Sequence, residues 1–258
     1  MAAFTSIPAE LEPFLAWLKA QTEAAWADYR TMTFEAFLES GVGGRSWRAG
    51  TTWRPGLTEQ EIDAAERRWS VRFPADYRHF LGVLNTPDRG LYSVGWSDEP
   101  PYDMREFEDE PSFYDWQRDD AALKSALEGP LEGLLFDVEH AGFWPQGWGE
   151  RPPDGATETR LRELIAAAPP LIPLTGHRYL LGEPLSAGNP VLSVYQSDII
   201  VYASDLQGLL VVELADLIGL QFADARAWAT RNMQTERIAA IPFWGDLVLG
   251  NGDDDQIG

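Results

Sequence analysis

The stretch from Leu57 to Asn85 constrains the fold more than any other part of the chain, because its local chemistry specifies two helices and the break between them. Thr58 is followed three residues later by Glu61, a spacing that predicts a capping box at the start of a helix. Pro74 disfavours the α conformation in the residue before it and suits the first turn of a helix, so a second helix is expected to begin there. Apolar residues recur at steps of three and four in both segments, which predicts that each helix buries one face.

The residues of this stretch, written LxxxEIxxxExxxxxxFPxDYRxFLxxLN, resemble the opening signature of the SUKH superfamily. That superfamily includes fungal cell-wall-assembly regulators and many bacterial immunity proteins. Phe73-Pro74 stands where the family usually has Leu-Pro, and Asn85-Thr86 stands where it usually has Asn-Gly. Similarity to a longer bacterial branch continues at 143–152, 170–180 and 188–206, so that the resemblance covers residues 57–214. It implies a fold more directly than it implies a function.

Runs of helix, then strands, then helices along the chain predict an α+β fold. The short link Gln196-Ser197-Asp198 predicts an antiparallel hairpin between the last two strands. We expect a mostly antiparallel sheet of about four to six strands flanked by helices, with an N-terminal helical extension. Strands are predicted at 91–96, 171–174, 179–181, 191–195 and 199–203, and helices at 8–38, 111–127, 130–140, 161–167, 206–220 and 222–237.

The chain is expected to divide into three regions. Residues 1–50 are predicted to form a helical extension and a glycine-rich connector, residues 51–222 a SUKH-like domain, and residues 223–258 a C-terminal helix with an acidic tail. The connector itself, residues 41–56, is net basic and rich in glycine, which predicts a flexible boundary.

The composition offers little for catalysis or cofactor chemistry. Cysteine is absent, which excludes disulfides and thiolate ligands, and the three histidines do not occur at a metal-binding spacing. The sequence contains neither a nucleophile elbow nor a P-loop nor a dinucleotide fingerprint. We therefore expect a non-enzymatic protein without a metal site or a cofactor.

The start of the chain lacks the basic region of a secretory signal, and Glu10 and Glu12 stand among its apolar residues. No apolar run approaches the roughly 20 residues that a membrane-spanning helix needs. These features predict a cytoplasmic protein that does not act at a membrane.

The net charge of −21, from 41 acidic and 20 basic residues, predicts a basic partner. A field of this sign repels nucleic acids and anionic membranes and attracts cationic surfaces. The acidic excess is concentrated between Asp98 and Glu110, where Arg105 is the only basic residue. This segment is interpreted either as a solvated loop or as a docking surface for a basic protein. The candidate partner-binding residues are Asp98, Glu99, Tyr102, Asp103, Glu106, Phe107, Glu108, Asp109 and Glu110.

A second unusual cluster combines tryptophan, arginine and histidine. Trp144 and Trp148 stand four residues apart in a segment rich in glycine and proline, and Arg151 follows them. Together with His177 they form an alternative ligand-binding set, because aromatic faces and a cation can line a cleft. Packing of the tryptophans in the core is the favoured interpretation.

The leading hypothesis is a non-enzymatic protein-binding module of the immunity type. It would neutralise a toxin, for example a basic nuclease, by occluding it with an acidic surface. Two alternatives stay open, namely a regulatory scaffold of the cell-wall-assembly-regulator type and a small-ligand-binding protein with a cleft near Trp144, Trp148 and His177.

Overall fold

A computed structural model describes residues 7–97 and 103–252, without the side chains of residues 108–110, 154 and 251–252. The described residues form ten α-helices and seven β-strands. The helices are α1 (Leu11–Ala27), α2 (Phe34–Ser40), α3 (Glu59–Trp69), α4 (Ala75–Val83), α5 (Asp120–His140), α6 (Asp154–Ala167), α7 (Leu206–Glu213), α8 (Phe222–Ala229), α9 (Thr235–Ala239) and α10 (Trp244–Gly252). The strands are β1 (Gly44–Ser46), β2 (Leu91–Trp96), β3 (Met104–Glu110), β4 (Leu171–Thr175), β5 (Arg178–Leu181), β6 (Val191–Tyr195) and β7 (Asp198–Ala203).

The strands form two antiparallel sheets, in the orders β1-β2-β3 and β4-β5-β6-β7. The α+β class is thereby confirmed, as is the hairpin of β6 and β7, whose two-residue link contains Gln196 with a positive φ of 55°. None of the helices in the described ranges combines the length and the apolar character needed to cross a bilayer.

The four-stranded sheet is buried on both faces. Leu180 packs into one hydrophobic cluster, whereas its neighbours Tyr179 and Leu181 pack into a second. This division follows from the alternation of side chains along a strand. The first cluster joins the sheet to α1, α3, α4, α7 and α8, and the second joins it to α5, α6 and α10. The sheet therefore lies between two layers of helices.

The two signature helices form as the sequence predicts. The Thr58 hydroxyl accepts a hydrogen bond from the Glu61 amide at 3.3 Å, and the Glu61 carboxylate accepts one from the Thr58 amide at 2.8 Å. This reciprocal capping box starts α3, and the bonds from Thr58 lower the pKa of Glu61. Pro74 directly precedes α4, and Tyr77 and Phe80 of that helix enter the same core as Phe14 of α1. The N-terminal helix thus packs on the signature helices.

The glycine-rich connector is not a flexible linker throughout, contrary to expectation. Gly44–Ser46 form β1, which pairs with β2, and Gly44 lies against the Phe37 ring of α2. Trp53 is buried in the core. The prediction failed because the partner strand lies more than 40 residues further along the chain, where local sequence patterns carry no information about it.

Helix boundaries in the second half also differ from those expected. The predicted helices at 111–127 and 130–140 are replaced by one helix, α5, which begins at Asp120 and continues through Pro130. Proline removes the N–H that would bond the Ala126 carbonyl four residues earlier. The hydroxyl of Tyr179 donates to that carbonyl at 2.9 Å, which supplies the missing donor. At the end of the chain, the predicted helices 206–220 and 222–237 are shorter, and α9 and α10 follow them.

Candidate functional site

The acidic segment predicted as a loop is a β-strand over most of the residues that the structure describes. Met104–Glu110 form β3, which is an edge strand of its sheet. Asp98, Glu99 and Tyr102 lie outside the described residues. Asp103 directly precedes the strand, Glu106 and Phe107 lie in its middle, and Glu108, Asp109 and Glu110 form its end.

Pairing with β2 explains why so acidic a segment is extended. Charged residues have low strand propensity, but strand formation depends on the partner strand more than on intrinsic preference. Glu106 lies opposite Val94 and Phe107 lies opposite Ser93 in an antiparallel register. The other side of β3 has no strand partner within the described residues, so this edge offers backbone groups as well as side chains to a partner.

The two faces of β3 differ in chemistry. Glu106 is exposed to solvent, and its carboxylate accepts a hydrogen bond of 2.6 Å from the Tyr92 hydroxyl of β2, which fixes its position. Phe107 is 48% exposed and lies on the opposite face, as alternation requires. Gly95 makes room for this ring, because a Cβ there would stand 3.3 Å from a Phe107 ring carbon.

Asp103 and Arg105 form an exposed ion pair at the start of the strand, with Arg105 Nε 2.9 Å from the Asp103 carboxylate. Both side chains are at least half exposed, and such pairs contribute little to stability.

Trp96 is a candidate contact residue that sequence reasoning missed. It ends β2, is 57% exposed, and lies opposite Met104. The register places it on the same face as Glu106, two residues further along β3. Tryptophan is enriched among the residues that dominate binding energy at protein interfaces. Alternation along the strand could not have identified it, because Tyr92 and Val94, which share its face of β2, are buried.

The members of the alternative ligand set lie in different environments. Trp148 is buried, stacks on Phe243 at a centroid distance of 5.1 Å, and meets Trp144 edge-on at 5.2 Å. Arg151 donates to the Val138 carbonyl at the end of α5. These residues form part of the packing around α5 and α10.

His177 lies in the exposed turn between β4 and β5, where its ring faces Tyr195 at a centroid distance of 6.0 Å. Partial burial, together with the positive charges of Arg178 and Arg45, lowers the pKa of His177. The residue is consequently neutral around physiological pH.

Metal binding finds no support in the parts of the chain that the structure covers. Among the side chains that the structure describes, which exclude those of residues 108–110, no three from His, Asp or Glu are grouped closely enough to hold an ion.

The structure is thus that of an α+β protein whose smaller sheet has the acidic strand β3 at its edge. Residues 56–148, which include α3, α4, β2, β3 and α5, match the sequence model of the SMI1/KNR4 family (SUKH-1). Over this part the chain is similar to the SUKH superfamily, which confirms the resemblance noted in the signature. No curated protein and no solved structure matches the chain.

Proposed function

We propose that the chain is a non-enzymatic, immunity-type protein that binds a basic partner through the edge of its three-stranded sheet. The single observation that carries the proposal is the position of the acidic segment on β3, an edge strand that pairs only with β2 among the described residues. The family match supports the same class of function, because the SUKH superfamily includes bacterial immunity proteins.

The chemistry of the edge suits a cationic protein surface. Glu106 is held by Tyr92 yet exposed, so its carboxylate is available without a large cost in side-chain entropy. Asp103 can exchange Arg105 for a basic group of the partner. Phe107 and Trp96 supply apolar contact area on the two faces of the sheet, which carboxylates alone cannot provide.

Electrostatic attraction determines how the partner is captured. The net charge of −21 steers a basic protein toward this surface and raises the association rate. A row of carboxylates resembles the phosphates of a nucleic-acid backbone in charge, so a basic nuclease toxin is the partner class that fits best. Occlusion of its substrate-binding surface is the proposed mechanism of neutralisation.

The first test is capture of the partner. The full chain serves as bait in lysate of its source cell, at low and at high salt, and bound proteins are identified by mass spectrometry. We expect a basic protein that is released by high salt. The range of the electrostatic attraction is about 8 Å at physiological ionic strength, and added salt shortens it further. Recovery of a neutral or acidic partner with no dependence on salt would contradict the mechanism.

The second test compares two variants of equal charge. In the edge variant, the carboxylates of Asp103, Glu106, Glu108, Asp109 and Glu110 are replaced by amides. In the control variant, five exposed carboxylates on or near α5 and α6 are replaced in the same way, namely Glu128, Glu132, Glu139, Glu150 and Glu163. We expect the edge variant to associate with the captured partner at least about tenfold more slowly, and the control to change much less. Equal effects would show that net charge, and not this strand, governs binding.

The regulatory-scaffold function is the second candidate, because the matched family is described as SMI1/KNR4 and the superfamily includes cell-wall-assembly regulators. Neighbouring genes separate the two functions. A polymorphic toxin encoded beside this gene favours immunity, and a solitary gene favours the scaffold.

A further inference from the structure

A pocket of about 550 Å³ lies near the end of the three-stranded sheet and takes no part in the proposed function. Its walls come from three separate segments, which precede α3, connect α4 to β2, and connect β3 to α5. Four arginines line it, namely Arg48, Arg54, Arg89 and Arg118. Three aspartates, Asp88, Asp115 and Asp119, also line it, so the lining carries one net positive charge on a protein whose net charge is −21.

The aspartates are already engaged by the protein. Asp88 accepts a hydrogen bond of 2.8 Å from the Thr52 amide, and Asp119 accepts one of 2.8 Å from the Asp115 amide. Asp115 accepts from the Gln117 amide and lies within 4 Å of both Arg54 and Arg118. The carboxylates are therefore used to fix the loops and to orient the guanidinium groups.

The walls are held in place before any ligand arrives. The backbone of residues 52–54 pairs with that of residues 86–88 through the bonds Arg54 N to Thr86 O and Asp88 N to Thr52 O, each 2.8 Å long. Arg54 also donates to the Asp88 carbonyl at 3.0 Å. A site fixed in this way loses little entropy when it binds a ligand.

The arginines offer more donors than these contacts consume. Three guanidinium groups, those of Arg54, Arg89 and Arg118, carry about 15 N–H donors. The contacts described for them use the carbonyls of Asp88 and Ala49 and the carboxylate of Asp115. The remaining N–H donors can bind the oxygens of a phosphate group, which arginine binds through paired charge-assisted hydrogen bonds.

We propose that this pocket binds a small molecule that carries a phosphate group. The pocket is larger than a phosphate ion alone requires, and its volume falls in the range of small-molecule binding sites. Pro87, Pro111 and Phe113 provide an apolar wall for the organic part of the ligand. General attraction of anions cannot produce the binding, because the overall field of the protein repels them.

Isothermal titration calorimetry on the full chain tests the site, with inorganic phosphate, glycerol 3-phosphate and citrate as probes. We expect saturable 1:1 binding of at least one phosphate probe with a Kd below about 1 mM, and weaker binding of citrate. Absence of saturable binding for both phosphate probes, or preference for citrate, overturns the proposal.

Variants locate the site. Arg89→Gln and Arg118→Gln are each expected to weaken binding about tenfold, since each removes charge-assisted hydrogen bonds. Arg162→Gln, an exposed arginine of α6 that also pairs with a carboxylate, is the matched control and should change affinity less than about twofold. Thermal melting verifies that all three variants are folded. Binding that persists unchanged in both pocket variants overturns the proposal, and this result is independent of partner binding at β3.

Discussion

Tyr179 is predicted to stabilise the protein by filling the gap that Pro130 leaves in α5. Its hydroxyl donates at 2.9 Å to the Ala126 carbonyl in a buried setting, and burial raises the pKa of Tyr179, so the donor proton is retained at neutral pH. Replacement by phenylalanine leaves that carbonyl buried without this donor. The expected loss is about 1–3 kcal/mol in the free energy of unfolding. For a chain of this size, each kcal/mol lowers Tm by about 2–4 °C.

A double-mutant cycle isolates the cause. Pro130→Ala returns a backbone N–H to α5 four residues after Ala126, so the helix can satisfy this carbonyl itself. In that background, Tyr179→Phe should cost less free energy than it does in the wild type, and the difference is the coupling energy between the two positions, expected to be about 1 kcal/mol.

Chemical unfolding followed by tryptophan fluorescence measures all four proteins of the cycle, with the slope of each transition compared to detect changes in the unfolded state. Tyr195→Phe is the control, because that side chain is 63% exposed and its replacement should change stability by less than about 0.5 kcal/mol. The reasoning is refuted if Tyr179→Phe costs the same free energy with and without Pro130.

Two further predictions concern backbone packing and pH. Gly56→Ala places a Cβ 1.9 Å from the Gly82 carbonyl oxygen and should lower the free energy of unfolding by at least about 2 kcal/mol. Gly155→Ala is the control, because a Cβ at this position of α6 has no neighbour within 4 Å, and the free energy of unfolding should hardly change. Burial raises the pKa of Asp76, whose carboxylate accepts from the Gly188 amide at 2.9 Å. Because the folded state then binds the proton more tightly than the unfolded state, the wild type should gain stability relative to Asp76→Asn as pH falls from neutral through the folded pKa. If the difference in the free energy of unfolding between the wild type and Asp76→Asn stays constant with pH, the predicted pH dependence is wrong.

Elements encoded by neighbouring residues could be predicted from the sequence. Thr58 and Glu61 stand three residues apart and form the predicted cap, and the β6–β7 hairpin closes around Gln196 and Ser197. In each case the interacting groups lie within one turn or one short link. The local structure is therefore determined by neighbouring residues, and the sequence pattern predicts it directly.

Elements that depend on distant partners could not be predicted. Gly44–Ser46 contain no residue with high strand propensity, and they form β1 only because β2 provides the ladder. The unbroken course of α5 through Pro130 depends on Tyr179, which lies 53 residues from the carbonyl that it satisfies. Local sequence patterns predict neither the pairing of β1 nor the continuation of α5 through Pro130.

The candidate sites divide in the same way. The acidic composition of residues 103–110 was visible in the sequence, but its position on an edge strand, with Phe107 and Glu106 on opposite faces, required the register. The arginine pocket was not visible, because its cations come from segments up to 70 residues apart. Only the fold brings them together.

The pairing of β1 with β2 has a consequence for work on isolated fragments. A polypeptide trimmed to the matched residues 56–148 lacks β1, which leaves β2 with an uncovered side, and it lacks α1 and α8, whose Phe14 and Trp228 stack beside the core of the signature helices. Such a fragment exposes unpaired backbone N–H and C=O groups together with hydrophobic side chains. We expect it to self-associate through strand pairing, as in fibrils. The part of the chain that can fold is therefore longer than the part that carries the recognisable signature.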